Sequence, residues 1–418
     1  MIAREPDADV VVVGGGIVGL SCALHLVLRG RRVALVDPGE PRRAASFGNA
    51  GVIGRGSILP VAGPGLWRRL PAYACNADPA LHVRYRALPG AAPWLRGLLA
   101  RSNETSWRQA AAALDPLAAA AYDAHLHLAE AAGATDLIVR CGYLKLYRTQ
   151  DAFTAAALER EILAHHRVRT EILDGAGIAA SEPALTRRFA RGLLFPESGS
   201  VARPGELVAR YRAAFRSRGG RVVKAACESV EPGADAVWVR WPGGSLAARQ
   251  AVLAAGAWSG ALAGRLGYRF PLAAERGYHR HYRSPRQLNR PVHDTGGAYV
   301  LAPMGDGTVR VLSGIEIAGP DDPPNPRQLA RLVPEAAGTL ALAEPFEEEP
   351  WCGSRPSTPD GLPIIGRAPH HPGLIFAFGH GHIGLSTGPV TGRAVADIAG
   401  GLEPPVPVAP FAPERFVR

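Results

Sequence analysis

Lysine is almost missing from this chain. Of 47 basic residues only Lys145 and Lys224 are lysine, and the rest are arginine. The arginines are scattered, usually have acids nearby, and form no block of five or six. With so much alanine, glycine and proline, they read as the codon usage of a GC-rich genome. The net charge of +10 is therefore no nucleic-acid signature. Cysteine is also scarce. The five, Cys22, Cys75, Cys141, Cys227 and Cys352, include no C-x-x-C pair, which excludes a disulfide scaffold and a cysteine zinc site. Long apolar runs are absent save one. Val10 to Leu28 carries no formal charge, but Gly14, Gly15, Gly16, Gly19 and His25 interrupt it. Glu5, Asp7 and Asp9 precede it where a signal peptide needs basic residues. A cytoplasmic protein is expected, with peripheral contact at the inner membrane left open.

What is present is ample apolar material, 47% of 418 residues, with 20% charged. At roughly 150 residues per domain this allows two to three domains or one interleaved α/β body. Disordered and collagen-like chains are excluded, and no internal repeat is visible.

The N-terminus carries the first chemical signal. Asp9 to Val13 reads as a buried parallel strand, and Gly14 to Gly19 spells G-G-G-I-V-G, a G-x-G-x-x-G fingerprint. Gly19 to Gly30 has helical spacing, Arg32 to Val36 reads as a second strand, and Asp37 closes it. Gly14 allows a tight turn, Gly16 lets backbone amides approach a pyrophosphate, and Gly19 lets helix pack on strand. Asp37 is placed to accept both ribose hydroxyls and counts against NADP, whose 2′-phosphate a carboxylate repels. The fingerprint alone does not separate FAD from NAD.

Three further segments do. Ala44 to Gly51, A-A-S-F-G-N-A-G, is a small-residue loop able to follow a flat ligand. Residues 251–259 form a strand ending in a glycine turn. Gly353 to Gly366 spells G-S-R-P-S-T-P-D-G-L-P-I-I-G and precedes the strand Leu374 to Phe378. The loop Gly379 to Gly388 then leads into a helix over Thr391 to Ile398. In this order the segments resemble the D-amino-acid oxidase/dehydrogenase superfamily of FAD proteins, closest to the bacterial D-amino-acid dehydrogenase small-subunit type. The likeness runs in patches from about residue 8 to about residue 402 and is weakest across 60–190.

The resemblance implies an α/β fold: a Rossmann-like FAD-binding domain of glutathione-reductase type interleaved with an α+β substrate domain. Its pieces fall at 1–60, 190–265 and 352–405, with the substrate domain at 61–189 and 266–351 and a tail at 406–418. Local patterns agree, with a helix over 108–133 and strands at 142–147, 297–302 and 308–314. The implied FAD contacts are Gly14, Gly16, Ile17, Val18, Gly19, Asp37, Pro38, Ser46, Asn49, Ala50, Gly51, Cys227, Ala255, Gly256, Trp258, His382, Ile383, Gly384, Leu385 and Ser386. Cys227 falls where the family's strand passes the adenine.

For substrate, the resemblance assigns Arg355 to the carboxylate, a role its planar fork suits. Tyr278 and His279 occur where relatives line the substrate side of the flavin. Tyr299 lies near a carboxylate-binding tyrosine of glycine oxidase, with a one-residue difference before Pro303. Either tyrosine also fits a satisfied core position. His382 sits in the loop expected at the flavin's pyrimidine edge, beside His380. No acid stands near this His-x-His pair in sequence, and no metal is expected. Some sarcosine-oxidase relatives attach FAD through a cysteine near Cys352, but that position falls on Gly353, so noncovalent FAD is expected.

The implied activity is FAD-dependent dehydrogenation of a small D-amino acid or cyclic D-imino acid, such as D-proline or hydroxy-D-proline, by hydride transfer from Cα to flavin N5. A glycine- or sarcosine-type oxidase, an RNA-modifying flavoprotein and an electron-transfer subunit are the other readings. No second G-x-G-x-x-G seats NADPH, so electrons are expected to pass to oxygen, a quinone or another carrier. The oligomeric state is not legible.

Overall fold

The computed structural model describes residues 6–417. Glu5 and the rest of residues 1–5 of the expected cofactor domain lie outside the described residues, as does Arg418 of the expected tail.

The strand Ala8–Val13 is central to an eight-stranded sheet. It runs parallel to Val33–Asp37 on one side and to the second half of Gly244–Leu253 on the other. Arg221–Lys224 extends the sheet beyond Val33–Asp37, and His371–Phe378 pairs parallel with Ala251 to Leu253. Val10 and Val12 enter one apolar core while Val11 and Val13 enter another. Two covered faces explain why this strand is an unbroken valine run and not an alternating one. On the first face the helices Ile17–Leu28 and Gly384–Gly400 pack together. A Cβ at Gly392 would lie 2.5 Å from the Ser21 backbone, so the close approach requires glycine there.

A ten-stranded sheet holds Ala273–Arg283, Thr308–Leu312, Tyr299–Pro303, Val292–Asp294 and Tyr143–Tyr147 in that spatial order, with Trp351–Ser357 on the other edge of Ala273–Arg283. Its outer face carries Leu144, Leu146, Tyr278, Tyr282, Leu301, Val309 and Val311, packed against the helix Arg327–Ala337. Its inner face looks toward the first sheet. Side chains alternate between the two faces, so residue parity decides which ones meet a ligand.

The helix expected at 108–133 spans Glu104–Ala131, started by the Asn103 side chain accepting from the Ser106 amide at 2.9 Å. It reaches the other helices through His125, whose Nε2 meets the Leu385 carbonyl at 2.8 Å. The segment after residue 406 is docked. Phe411 is buried, and Arg415 binds Asp360 at 2.9 Å. Among the described residues no helix is long and apolar enough to cross a membrane.

Candidate functional site

A cavity of about 930 Å³ lies between the two sheets, near the upper end of the range for ligand pockets. Gly14, Gly15 and Gly16 of the fingerprint form part of its wall, Gly19 lies behind them, and these glycines do different work. Gly14 sits at φ +107°, where an added Cβ would lie 2.4 Å from the Ala254 carbonyl oxygen. A Cβ at Gly19 would lie 1.9 Å from the Gly14 carbonyl oxygen. Both are packing requirements. Gly16 is not, because nothing stands closer than 3.8 Å to its missing Cβ. The space there opens on the cavity, as an entering pyrophosphate needs.

Two helices begin at this cavity, Ile17–Leu28 and Gly384–Gly400. Neither has a side-chain cap or an acid in its first turn. Their unpaired amides and positive dipole ends attract anionic groups. Ser46 takes one amide, accepting from Ile17 at 3.3 Å. Asp37 borders the cavity with most of its acceptor capacity already used. It accepts from the Gly15 amide at 2.7 Å, the Gly39 amide at 2.9 Å and Arg212 Nη2 at 2.9 Å. Three of its about four acceptor positions are committed. Arg212 comes from the helix Pro204–Ser217, and no sequence signal marked it.

Of the other expected cofactor residues, Ile17, Val18, Pro38, Asn49, Ala50, Cys227, Ala255, Gly256, Trp258, Ile383, Gly384, Leu385 and Ser386 all line the cavity. Gly19 and Gly51 do not. Gly51, at φ +81°, packs on the Val201 carbonyl and receives the Asn49 side chain at 2.9 Å, so it shapes the loop. The Cys227 thiol donates to the Ser229 carbonyl, and burial pushes its pKa up to about 12.

The opposite wall is built on paired strands, with Arg355 across from Glu275 and Gly353 across from Gly277. Arg355 lines the cavity, and its guanidinium lies over Gly277. A Cβ there would stand 2.3–2.7 Å from Nη2, Nη1 and Cζ. Among the described residues Nη1 is buried with no hydrogen-bond partner. Burial holds the pKa of Arg355 below the ordinary guanidinium value, while Glu275 pulls it up. The group stays charged. A half-buried cation with an unused donor suits a planar anion. Glu275 in turn accepts from Ser357 Oγ at 2.6 Å and from His382 Nε2 at 2.9 Å. Burial alone would raise its pKa, but the His382 and Ser357 bonds and Arg355 outweigh it and hold the carboxyl below its usual value. His382 lines the cavity with its ring oriented from behind by this carboxylate. The sequence held Glu275 in view but offered no reason to give it a role.

Parity moves other expected residues out of the cavity. Tyr278 points to the outer face. Its hydroxyl donates to Glu316 at 2.6 Å and accepts from Arg276 and the Asn325 amide at 2.9 Å. His279 is on the inner face but covered, stacked on Trp351 at 4.7 Å with Nδ1 at 3.2 Å from the Gly48 carbonyl. Burial, Arg310 and His281 hold it neutral, well below its usual pKa. It braces the Ala44–Gly51 loop. Tyr299 borders the cavity but commits its hydroxyl to Asp294 at 2.8 Å and Thr339 at 2.6 Å. Its neighbour Val300 lines the cavity as well. Cys352 shares the outer face with Tyr278 and accepts from Arg276 at 3.2 and 3.3 Å.

The two histidines of the His-x-His pair are separately engaged, His380 by Thr391 Oγ1 at 3.0 Å and His382 by Glu275. His279, His281 and Glu347 cluster elsewhere, but Arg310 donates to His281 Nε2 at 3.0 Å and places a cation where a metal would sit.

Known proteins resemble the chain over almost its whole length. A family model described as DAO, FAD dependent oxidoreductase, matches residues 9–398. A D-amino-acid oxidase of Bradyrhizobium diazoefficiens is 33% identical over 98% of this chain and 99% of its own. A D-amino acid dehydrogenase of Xanthobacter autotrophicus is 30% identical over 98% and 99%. Among solved structures, glycine oxidase from Geobacillus kaustophilus superposes with a TM-score of 0.77 at 23% identity, covering 99% of this chain and 100% of that one. L-proline dehydrogenase from P. horikoshii reaches 0.72 at 18% identity, covering 99% and 98%.

Proposed function

The chain belongs to the DAO family of FAD dependent oxidoreductases and is an FAD-dependent enzyme of amino-acid oxidation; on that premise we propose that its substrate is a small D-amino acid or cyclic D-imino acid. The observation that carries the reading is Arg355, a half-buried arginine whose Nη1 is buried and, among the described residues, unpartnered, in the same cavity as two uncapped helix ends. The D preference is supported by relatives named D-amino-acid oxidase and D-amino acid dehydrogenase over nearly the whole chain.

FAD, when bound, would supply the redox chemistry, the acceptance of a hydride from the substrate Cα. The chain supplies position and field. Arg355 anchors the substrate carboxylate and so fixes Cα above one face of the cavity. Glu275 holds His382 in place, and the Gly384 helix end favours negative charge at the cofactor's pyrimidine edge. The FAD is held noncovalently, because the Cys352 sulfur lies on the outer sheet face under Arg276. Heat or acid precipitation therefore releases all flavin into the supernatant, and colour left in the pellet would contradict this. A cytoplasmic location, and reoxidation by oxygen, a quinone or another carrier, complete the proposal.

Anaerobic mixing tests the substrate. D-amino acids or D-proline bleach the flavin, and their L-isomers do not. Bleaching by glycine, sarcosine or L-amino acids alone would overturn the reading. Gly277 gives a second check. Gly277→Ala puts a methyl where the guanidinium lies, and the flexible arginine yields before the backbone does. KM for the best amino acid rises and kcat/KM falls about ten- to a hundredfold, about 1.4–2.7 kcal/mol, while bound flavin and melting temperature stay near parental values.

A further inference from the structure

Arg355 does not stand alone on the inner face of the ten-stranded sheet. Arg355 and Ser357 follow each other on that face of one strand, and Glu275 and Gly277 on that face of its neighbour, with Glu275 directly across from Arg355. The two long side chains lean opposite ways. The Arg355 guanidinium lies over Gly277, while the Glu275 carboxylate reaches Ser357 Oγ at 2.6 Å and His382 Nε2 at 2.9 Å. Their head groups are thus about two residues of strand apart, about 7 Å, and each acts on the other's charge. His382 stands beyond the carboxylate and lines the same cavity as Arg355. A bridge between Ser357 and His380 fixes its loop against the strand.

Burial opposes a charge on Glu275, but His382, Ser357 and Arg355 outweigh it, so it stays a carboxylate and can only accept. The hydrogen between Glu275 and His382 therefore belongs to Nε2. A neutral ring then keeps a lone pair at Nδ1, which among the described residues has no hydrogen-bond partner. The charged groups around this imidazole are few. Glu275 and Arg355 come from the sheet. In its own loop His380 is bound to Thr391, and burial holds it neutral with a pKa of about 3. On the following helix Arg393 is exposed and Asp397 is paired with Arg29 at 2.8 Å. An α-amino acid with its carboxylate on Arg355 carries its ammonium two bonds from the carboxylate carbon, whatever its side chain. Laid along the strands from Gly277 toward Ser357, it brings that ammonium into the gap between the guanidinium and His382. A cation there finds Glu275 for its charge and Nδ1 for its proton.

We propose that His382 is the proton acceptor for the substrate ammonium, with Glu275 as the positioning residue behind it. One N–H bond of the ammonium breaks, its electron pair stays on the nitrogen, and the proton joins His382 Nδ1. The positive charge passes to an imidazolium held against the Glu275 carboxylate. The amine is left neutral with its lone pair free, as oxidation at Cα requires. The proposal rests on the amino-acid reading above and deepens it.

The test follows kcat/KM of the holoenzyme for its best D-amino acid from about pH 6 to about pH 10. His382→Gln lowers it about a hundredfold near neutral pH. The deficit shrinks to within about threefold at the alkaline end, where solution already supplies the neutral amine. Glu275→Gln keeps a hydrogen-bonding partner for the ring but not the charge behind the imidazolium. It lowers kcat/KM about tenfold, and the acid limb of the profile moves to lower pH, because a facing carboxylate favours the protonated ring. Propionate, a carboxylate with no amine, gives the binding control. It perturbs the flavin spectrum of His382→Gln at the parental dissociation constant, since Arg355 alone holds it. If His382→Gln does not fold, His382→Asn is read by the same profile. A loss that is uniform across pH, weakened propionate binding, or loss of bound FAD would overturn the assignment, the last by making His382 a cofactor contact. If no amino acid bleaches the flavin anaerobically, the amino-acid reading fails and the proposal with it. If amino acids bleach it and His382→Gln keeps the parental profile, the proposal alone fails.

Discussion

Replacing Arg355 by alanine lowers kcat/KM for the best amino-acid substrate by two to three decades while leaving bound FAD near parental levels. The size follows from what remains. The substrate carboxylate enters a wall from which the Arg355 guanidinium has gone, and an unpaired charge in such a place costs ~2–5 kcal/mol. The specificity follows from position. Arg355 lies over Gly277 on the ten-stranded sheet, across the cavity from the fingerprint glycines. Arg355→Lys keeps the charge and loses the fork, so its loss is smaller. Removal also frees Glu275, which loses one of the influences holding its carboxyl down. A decarboxylated amine, poor with the parental enzyme, loses little further activity in Arg355→Ala. Near-parental kcat/KM in the alanine variant would mean that the carboxylate is anchored elsewhere.

Gly19→Ala abolishes the holoenzyme. Its methyl carbon would lie 1.9 Å from the Gly14 carbonyl oxygen, and both partners are backbone. Relief requires lifting the helix Ile17–Leu28 from the strand Ala8–Val13, which opens the core holding Val10, Val12, Leu20 and Leu24. A loss of ~3 kcal/mol or more is expected, read as a lower melting temperature and a flavin-to-protein ratio near zero. Gly16→Ala is the matched control. With no atom nearer than 3.8 Å, the apoprotein folds normally and only FAD affinity falls. Parental flavin content in Gly19→Ala, or unchanged FAD affinity in Gly16→Ala, would reverse the division between packing glycine and ligand glycine.

Much of this site was legible before any fold was known. The strand, fingerprint, helix and second strand lie within the first 37 residues, and the spacing of glycines and valines is a local consequence of helix and strand periods. Arg355 stood out through resemblance, inside the contiguous run Gly353 to Gly366 that matches the family's pattern. Uncertainty entered where the answer depended on which face of a strand looks inward. Tyr278 and Gly277 are adjacent, and alternation says only that they point opposite ways. A tyrosine satisfies either face, since its ring suits a core and its hydroxyl suits a network. The choice was made by Glu316, Arg276 and the Asn325 amide, which come from elsewhere in the chain and surround the hydroxyl on the outer side. Tyr299 was claimed in the same way by Asp294 and Thr339.

The sequence by itself thus pointed to the dinucleotide fingerprint and its turn, because each is a local pattern with a local physical reason, and, through its resemblance to the family, to Arg355. Only the tertiary structure decided that Glu275 orients His382 and that Arg212 shares Asp37. Those are meetings of segments far apart in the chain. Hydrogen bonds and charges act over a few ångströms of space, and residue spacing along the chain carries no record of them until the sheets have closed.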